Sequence, residues 1–163
     1  MLRPATLSDI PLIRELAHRI WWAHYPGIIT DEQIAYMLDL IYTEQALGRQ
    51  MTEEGQQFWL VEAYGTAMGY LSVSRQGDGA YFLHKIYLDT THQGKGFGAQ
   101  VFQMLLEQYP DLMELRLTVN RQNFKSINFY FKMGFVIEKC VDLPIGRGFV
   151  MDDFQMLWRR PKK

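Results

Sequence analysis

Apolar positions Ile10, Ile13, Leu16, Ala17 and Ile20 follow at helical spacing behind Ser8, Asp9 and Pro11, residues that favour a helix start. A first helix is predicted there, after a short opening strand over Leu2 to Thr6. Pro26-Gly27 ends that helix, and Thr30-Asp31-Glu32 opens a second through Ile34, Met37, Leu38 and Ile41. The period then shifts towards two. Phe58 to Ala63, Met68 to Ser74 and Tyr81 to Leu88 are rich in β-branched and aromatic residues and are parted by Tyr64-Gly65-Thr66 and Gln76-Gly77-Asp78-Gly79, so they predict a three-strand meander. Helical spacing returns at Val101, Phe102, Leu105, Leu106 and Tyr109, behind glycines 94, 96 and 98. Leu115 to Val119 predicts a strand, Phe124 to Met133 a helix ended by Gly134, and Phe135 to Val141 another strand. The last strand is a mostly alternating run, Phe149, Met151, Phe154, Met156 and Trp158, broken at Asp152-Asp153. The order is therefore βααβββαβαββ, an α/β chain whose mixed sheet is covered by helices.

Composition narrows the class. The 163 residues, 48% of them apolar, suit one domain over 1–163, with no Pro/Gly/Ser linker or repeat to divide it. The 17 basic and 18 acidic residues leave a net charge of -1, which gives a nucleic-acid partner no electrostatic footing. Cys140 is the only cysteine, so no intramolecular disulfide and no multi-thiolate metal site is expected. It reads as a small buried strand residue, not a nucleophile. The absence of a signal-like start and of a long apolar run leads to the expectation of a cytoplasmic protein without a membrane partner.

The segment with most chemistry runs from strand Phe82–Asp89 through a short loop into Gly94-Lys95-Gly96-Phe97-Gly98-Ala99 and a helix. Unpaired amides and the positive end of a helix macrodipole make such a turn a phosphate cradle. Glycine lets a bulky phosphate approach the backbone. No Ser or Thr follows Gly94-Lys95, which excludes the nucleoside-triphosphate loop, and the glycine intervals fit a dinucleotide fingerprint poorly. A glycine-rich connection without a ligand stays open on the spacing alone.

Gln93, Gly94, Gly96 and Gly98 resemble the Q/R-x-x-G-x-G/A motif of the GNAT superfamily of N-acetyltransferases. A second signature, N-x-x-(S/A)-x-x-F-Y-x-K-x-G-F, is matched by Asn123, Ser126, Phe129, Tyr130, Lys132, Gly134 and Phe135. The element order resembles the whole GNAT domain, and the tail from Gly148 to Phe154 resembles spermidine/spermine-type amine acetyltransferases. The resemblance implies a single GNAT-like domain with helices on both faces of the sheet, acetyl-CoA as co-substrate and no metal.

The resemblance also assigns roles. The pyrophosphate of acetyl-CoA falls to Gln93, Gly94, Lys95, Gly96, Phe97, Gly98 and Ala99, and the pantetheine arm to the backbone of Ile86, Tyr87 and Leu88. Asn123 hydrogen-bonds that arm, Lys132 meets the phosphates, and the Tyr130 phenol protonates the departing thiolate. At 3.6 residues per turn, Asn123 and Tyr130 are expected on one helical face about 10 Å apart. A backbone N–H near Tyr87 stabilises the oxyanion, with no covalent enzyme intermediate. His84 is the first candidate for the base, with His92, Asp89 and Glu62 behind it.

The implied acceptor is a primary amine of a small molecule or polyamine. Trp21, Trp22, His24, Tyr25 and Tyr36 form its candidate aromatic wall, although large aromatics on amphipathic helices are more often core. The acidic positions Asp31, Glu32, Asp39, Glu44, Glu53 and Glu54 read as a solvated face that would also suit a polyamine. Two alternatives remain: a protein or peptide N-acetyltransferase, and a non-catalytic acyl-CoA sensor. A homodimer is implied by family habit.

Overall fold

The computed structural model describes residues 1–89 and 96–162. Thr6 begins the first helical segment, where Asp9 Oδ2 accepts from the Thr6 N–H at 2.9 Å. A 3-10 turn (Leu7–Asp9) leads into α1 (Ile10–His24), and α2 (Asp31–Ile41) follows. The Thr30 side chain accepts from Gln33 N at the start of α2, and Thr43 accepts from Ala46 N in the same way. Thr43 thus caps α3 (Glu44–Thr52), a helix the sequence pattern does not predict. Only Ala46, Leu47 and Gln50 of α3 are buried, so its apolar stripe is too short to stand out.

The strands are β1 (Leu2–Pro4), β2 (Gln57–Ala63), β3 (Thr66–Gly77), β4 (Ala80–Leu88), β5 (Glu114–Asn120), β6 (Val136–Gly146) and β7 (Phe149–Arg159). Helix α4 (Phe97–Gln108) stands between β4 and β5, and α5 (Phe124–Met133) between β5 and β6. The seven strands form one mixed sheet of order β1-β2-β3-β4-β5-β7-β6. β4 and β5 run parallel, while β1 with β2, β2 with β3, β5 with β7 and β6 with β7 are antiparallel. The β2–β3 turn places Tyr64 and Gly65 both at positive φ, 54° and 74°, as a two-residue primed turn requires.

Two compact units divide the chain, and each has its own interior. The first comprises Met1–Ser74 and His84–Pro110. Ile13, Leu16 and Ala17 of α1, Leu38 of α2, Leu47 of α3, Leu60 and Val61 of β2, Leu71 of β3 and Val101 and Leu105 of α4 are at most 2% exposed. The second comprises Arg75–Leu83 and Asp111–Lys163. Leu115 and Leu117 of β5, Ile127 of α5, Phe135, and Met156 and Trp158 of β7 are buried there.

One expectation changes in the second unit. β7 is the single last strand expected, and it pairs continuously through the break in its apolar alternation: Asp152 lies opposite Asp142, and Asp153 opposite Val141 and Asn120. Register irregularities lie in β6, between Ile137 and Lys139 and between Pro144 and Gly146. Cys140 is exposed, not buried. It sits in β6, the last strand of the sheet order, where nearly every position faces solvent.

Candidate active site

In the first unit β4 alternates. Leu83, Lys85 and Tyr87 share one face, His84 and Ile86 the other, and Ile86, Tyr87 and Leu88 are half-buried. β3 approaches this segment so closely that a Cβ on Gly69 would stand 2.2 Å from the Tyr87 carbonyl oxygen and 3.0 Å from Leu88 Cα. Only glycine fits there. The Asp89 N–H donates to the Met68 carbonyl at 2.7 Å and fastens the strand just beyond the contact.

Gly96 is the N-cap of α4 at φ 72°, in the left-handed region, with no side-chain cap bond and no acidic residue in the first turn. Phe97, Gly98 and Ala99 follow, half-buried, with first-turn amides that an α-helix cannot satisfy internally. Gln93, Gly94, Lys95 and His92 lie outside the described residues.

His84 Nε2 lies 2.7 Å from Ser74 Oγ. Desolvation, with the neighbouring Lys85 cation, pushes its pKa down to about 4, although the residue as a whole is exposed. An imidazole that weak is a poor acceptor for an amine's proton, so the structure disfavours His84 as the base. Lys85 itself is buried. Its ammonium donates to Gln50 Oε1 at 2.7 Å and Gln56 Oε1 at 2.9 Å and lies 5.0 Å from the Phe58 ring centroid. Burial lowers its pKa to about 7.

The candidate aromatic wall divides. Trp21 is 2% exposed, Trp22 is 41% exposed, and His24 and Tyr36 are half-buried. Tyr25 packs on Trp21 with centroids 4.6 Å apart, and Tyr42, Tyr70 and Tyr87 complete a cluster to which α1, β3, β4 and the residues capping α1 and α2 contribute. Tyr42 and Tyr70 escape the sequence reading because they meet the others only through tertiary packing. Asp89 pairs with Arg19 at 3.0 Å, and Glu62 with Arg3. The acidic positions 31, 32, 39, 44, 53 and 54 are all exposed, which matches a solvated face.

In the second unit Asn123 is not a helical residue but the N-cap of α5, its Oδ1 accepting from Ser126 N at 3.3 Å. It is 4% exposed. Tyr130 lies on the helix interior, its ring edge-on to Phe129 and Phe135 at 5.6 and 5.5 Å. Gly134, at φ 102°, ends α5 as expected, and the Phe135 N–H returns to the Tyr130 carbonyl at 3.0 Å. Lys132 is exposed in the last turn, where a cation also suits the helix dipole.

Asp153, read from sequence only as a break, is the buried carboxyl of this unit. Desolvation raises its pKa to about 6 against the opposing pull of Arg121 and a Thr118 hydrogen bond. Alternation alone puts it on an inward face, but its partner Thr118 comes from another strand.

The acetyltransferase (GNAT) family model matches residues 14–135, which span α1 to the end of α5. The chain belongs to the GNAT family. It is thus an acetyltransferase, with acetyl-CoA as its acetyl donor. It is 26% identical over 146 residues to a spermidine N(1)-acetyltransferase of Thermoplasma acidophilum, a match covering 84% of this chain and 88% of the relative. An uncharacterized N-acetyltransferase of Mycobacterium tuberculosis is 26% identical over 133 residues, 80% of this chain and 85% of its own. Among solved structures, the PaiA N-acetyltransferase of Thermoplasma acidophilum in complex with coenzyme A superposes with a TM-score of 0.80 at 23% identity, covering 98% of each chain. The spermidine N-acetyltransferase of Vibrio cholerae in complex with CoA and spermine gives 0.67 at 19%, covering 98% of this chain and 94% of that one. These likenesses agree with the mixed seven-stranded sheet. Among the described residues no helix is long and apolar enough to cross a membrane.

Proposed function

We propose that this GNAT chain transfers the acetyl group of acetyl-CoA directly to a primary amine of a small molecule, with polyamines in the acceptor class. The observation that carries this reading is the start of α4: Gly96 in the left-handed region, no side-chain cap bond from the N-cap, and no acidic residue in the first turn among the described residues. The amides of Phe97, Gly98 and Ala99 receive the pyrophosphate there. The backbone of Ile86 to Leu88 pairs with the amides of the pantetheine arm, and the Asn123 side-chain amide donates to that arm while its oxygen caps α5. Relatives that act on spermidine support an amine acceptor.

The amine nitrogen, once neutral, attacks the thioester carbonyl carbon. The new C–N bond forms, a β4 backbone N–H steadies the oxygen charge, and the C–S bond breaks as its electron pair passes to sulfur. The Tyr130 hydroxyl gives that sulfur its proton and is reprotonated by water. The nitrogen sheds two protons to solvent, one as the ammonium becomes neutral and one after the C–N bond forms, and one of them is balanced by the reprotonation of Tyr130; His84 at about 4 is too weak to take the first from an ammonium of pKa ~10.

Release of free CoA thiol from acetyl-CoA, with and without a panel of polyamines, alkyl and aryl amines, amino acids and short peptides, tests the reading. Amine-dependent release is expected, and Tyr130→Phe should lower kcat by about 10²-fold or more while acetyl-CoA still binds. Binding without release for every acceptor would favour the acyl-CoA sensor. Unchanged kcat in Tyr130→Phe would remove the acid assignment.

A further inference from the structure

The aromatic cluster of the first unit is polar where a structural core would be apolar. Trp21, Tyr42 and Tyr70 are 2%, 1% and 0% exposed, yet they bring an indole N–H and two hydroxyls into the interior. Tyr70 donates to the Tyr42 oxygen at 2.7 Å. The Tyr25 and Tyr87 hydroxyls meet at 2.9 Å, and both side chains are half-buried. Ring centroids link Trp21 to Tyr25 at 4.6 Å, Tyr87 at 5.5 Å and Tyr42 at 5.6 Å, while Tyr70 lies 5.5 Å from Tyr87. The floor is buried and its cover is a pair of phenols.

One donor in the floor is unspent. Trp21 Nε1–H makes no hydrogen bond with any described residue. It is near enough to both the Tyr42 and Tyr70 oxygens to affect their ionisation, but its geometry completes a bond to neither. A buried donor without a partner loses its hydration and gains nothing in return. Phenylalanine would fill the same space without that loss. Departures of this kind from good core chemistry gather where a ligand completes the network.

We infer that Trp21 Nε1–H, with the Tyr42 and Tyr70 hydroxyls, is a subsite for an oxygen atom of the acceptor substrate. The acceptor class is then an amine whose frame also carries a hydroxyl, carbonyl or carboxylate oxygen. The inference rests on the N-acetyltransferase reading and, within its amine acceptors, places oxygen-bearing amines ahead of the polyamines that reading also admits. A donor needs an acceptor atom, which a second ammonium group lacks. Burial drives the Tyr42 and Tyr70 pKa values well above 10, so both phenols keep their protons. The nearby charges favour a substrate oxygen over a second ammonium. The Lys85 ammonium lies 6.0 Å from the Tyr42 ring centroid, and Asp89, one residue past the end of β4, is already paired with Arg19. The substrate oxygen enters by parting the Tyr25–Tyr87 pair, which places the amine end towards Tyr87 and the strand that receives acetyl-CoA.

Three acceptors of matched length decide the matter: 5-aminopentan-1-ol, hexan-1-amine and 1,5-diaminopentane end in hydroxyl, methyl and ammonium. A fourth, 5-aminopentanoate, tests a charged oxygen. For the wild type, kcat/KM for the alcohol or the carboxylate should exceed that for the alkyl amine and the diamine by about tenfold. Trp21→Phe should bring these ratios close to one with the KM for acetyl-CoA unchanged. Tyr42→Phe, which keeps the ring and removes one hydroxyl, should do the same should the tryptophan variant fail to fold. Calorimetric binding of the four amines to wild type and variants reads the same ratios without turnover. Absence of turnover with all amines would count against the transferase reading, while the binding ratios would still decide the subsite. A wild-type preference for the diamine, or oxygen selectivity that survives both substitutions, would overturn the proposal.

Discussion

Gly69 offers the sharpest test of how the first unit shapes the β4 backbone. Alanine there would place a methyl carbon 2.2 Å from the Tyr87 carbonyl oxygen, where real Cβ atoms essentially never come within 3.0 Å. Both neighbours named in the contact are backbone, and Asp89 N to Met68 O at 2.7 Å ties β4 to β3 directly alongside, so no side-chain rotation relieves the overlap. The strands must part by at least about 0.8 Å. Overpacking of this kind costs about 1–3 kcal/mol, which for a chain of this size lowers Tm by roughly 2–12 °C. A displacement approaching 1 Å in a strand that positions substrate lowers kcat by about 10²-fold. Gly77→Ala is the control, because a Cβ on Gly77 meets nothing within 4 Å. Thermal unfolding, calorimetric CoA binding and acetyl transfer should be measured for both variants, with activity taken well below each Tm. A Gly69→Ala protein with wild-type Tm, CoA affinity and kcat would refute the close approach and the placement of the Tyr87–Leu88 backbone drawn from it.

Three further outcomes follow from the buried polar groups. Lys85 has a folded pKa near 7 against an ordinary 10.5, so the unfolded chain binds more protons between those values and stability rises with pH across that window. The penalty is complete below about pH 7, amounts to at most about 5 kcal/mol, and should disappear with its pH slope in Lys85→Met, as read by urea unfolding at pH 6, 7.5 and 9. Asp153 works in the opposite sense: its folded pKa near 6 exceeds the ordinary 3.8, so the folded chain binds more protons and stability falls as pH rises from about 4 to 6. Asp153→Asn should stabilise the protein by about 1–2 kcal/mol at pH 7 and leave stability at pH 4 nearly unchanged, and equal stability of the two proteins at pH 7 would contradict the buried carboxylate. Asn123→Ala removes the α5 cap and should lower Tm by roughly 2–4 °C, while CoA affinity that falls further than Asn123→Ser would separate the pantetheine contact from the cap.

Much of the fold was legible because its signals are local. Gly134 ends α5 where a left-handed residue is needed, Tyr64-Gly65 turns β2 into β3, and the apolar spacing of α1, α2 and α4 declares each helix without reference to its partners. Helix α3 escaped because three buried positions in nine residues make too weak a stripe, although the Thr43 cap was present to be read. The break in the apolar alternation of β7 marks the polar pair Asp152-Asp153 but not the burial of Asp153, which lies within a continuous ladder and whose desolvation raises its pKa.

The site was legible only as far as its chemistry lies along the chain. The glycine turn and the segment from Asn123 to Phe135 are contiguous motifs, and the family match spans both. Gly69, Tyr42, Tyr70 and Lys85 carry no such mark, because each matters through a neighbour distant in sequence: Gly69 through the Tyr87 carbonyl, Tyr42 and Tyr70 through Trp21, and Lys85 through Gln50 and Gln56. The same division separates what a family shares from what one member selects. In the proposed function pyrophosphate and pantetheine are met by backbone amides, which a glycine turn and a strand present whatever the side chains are. An acceptor is chosen by side chains gathered from different elements, and the subsite inferred above is made of phenols and an indole N–H. On the proposed reading, a relative 26% identical can share the acetyl donor and still differ in the acceptor atom it selects.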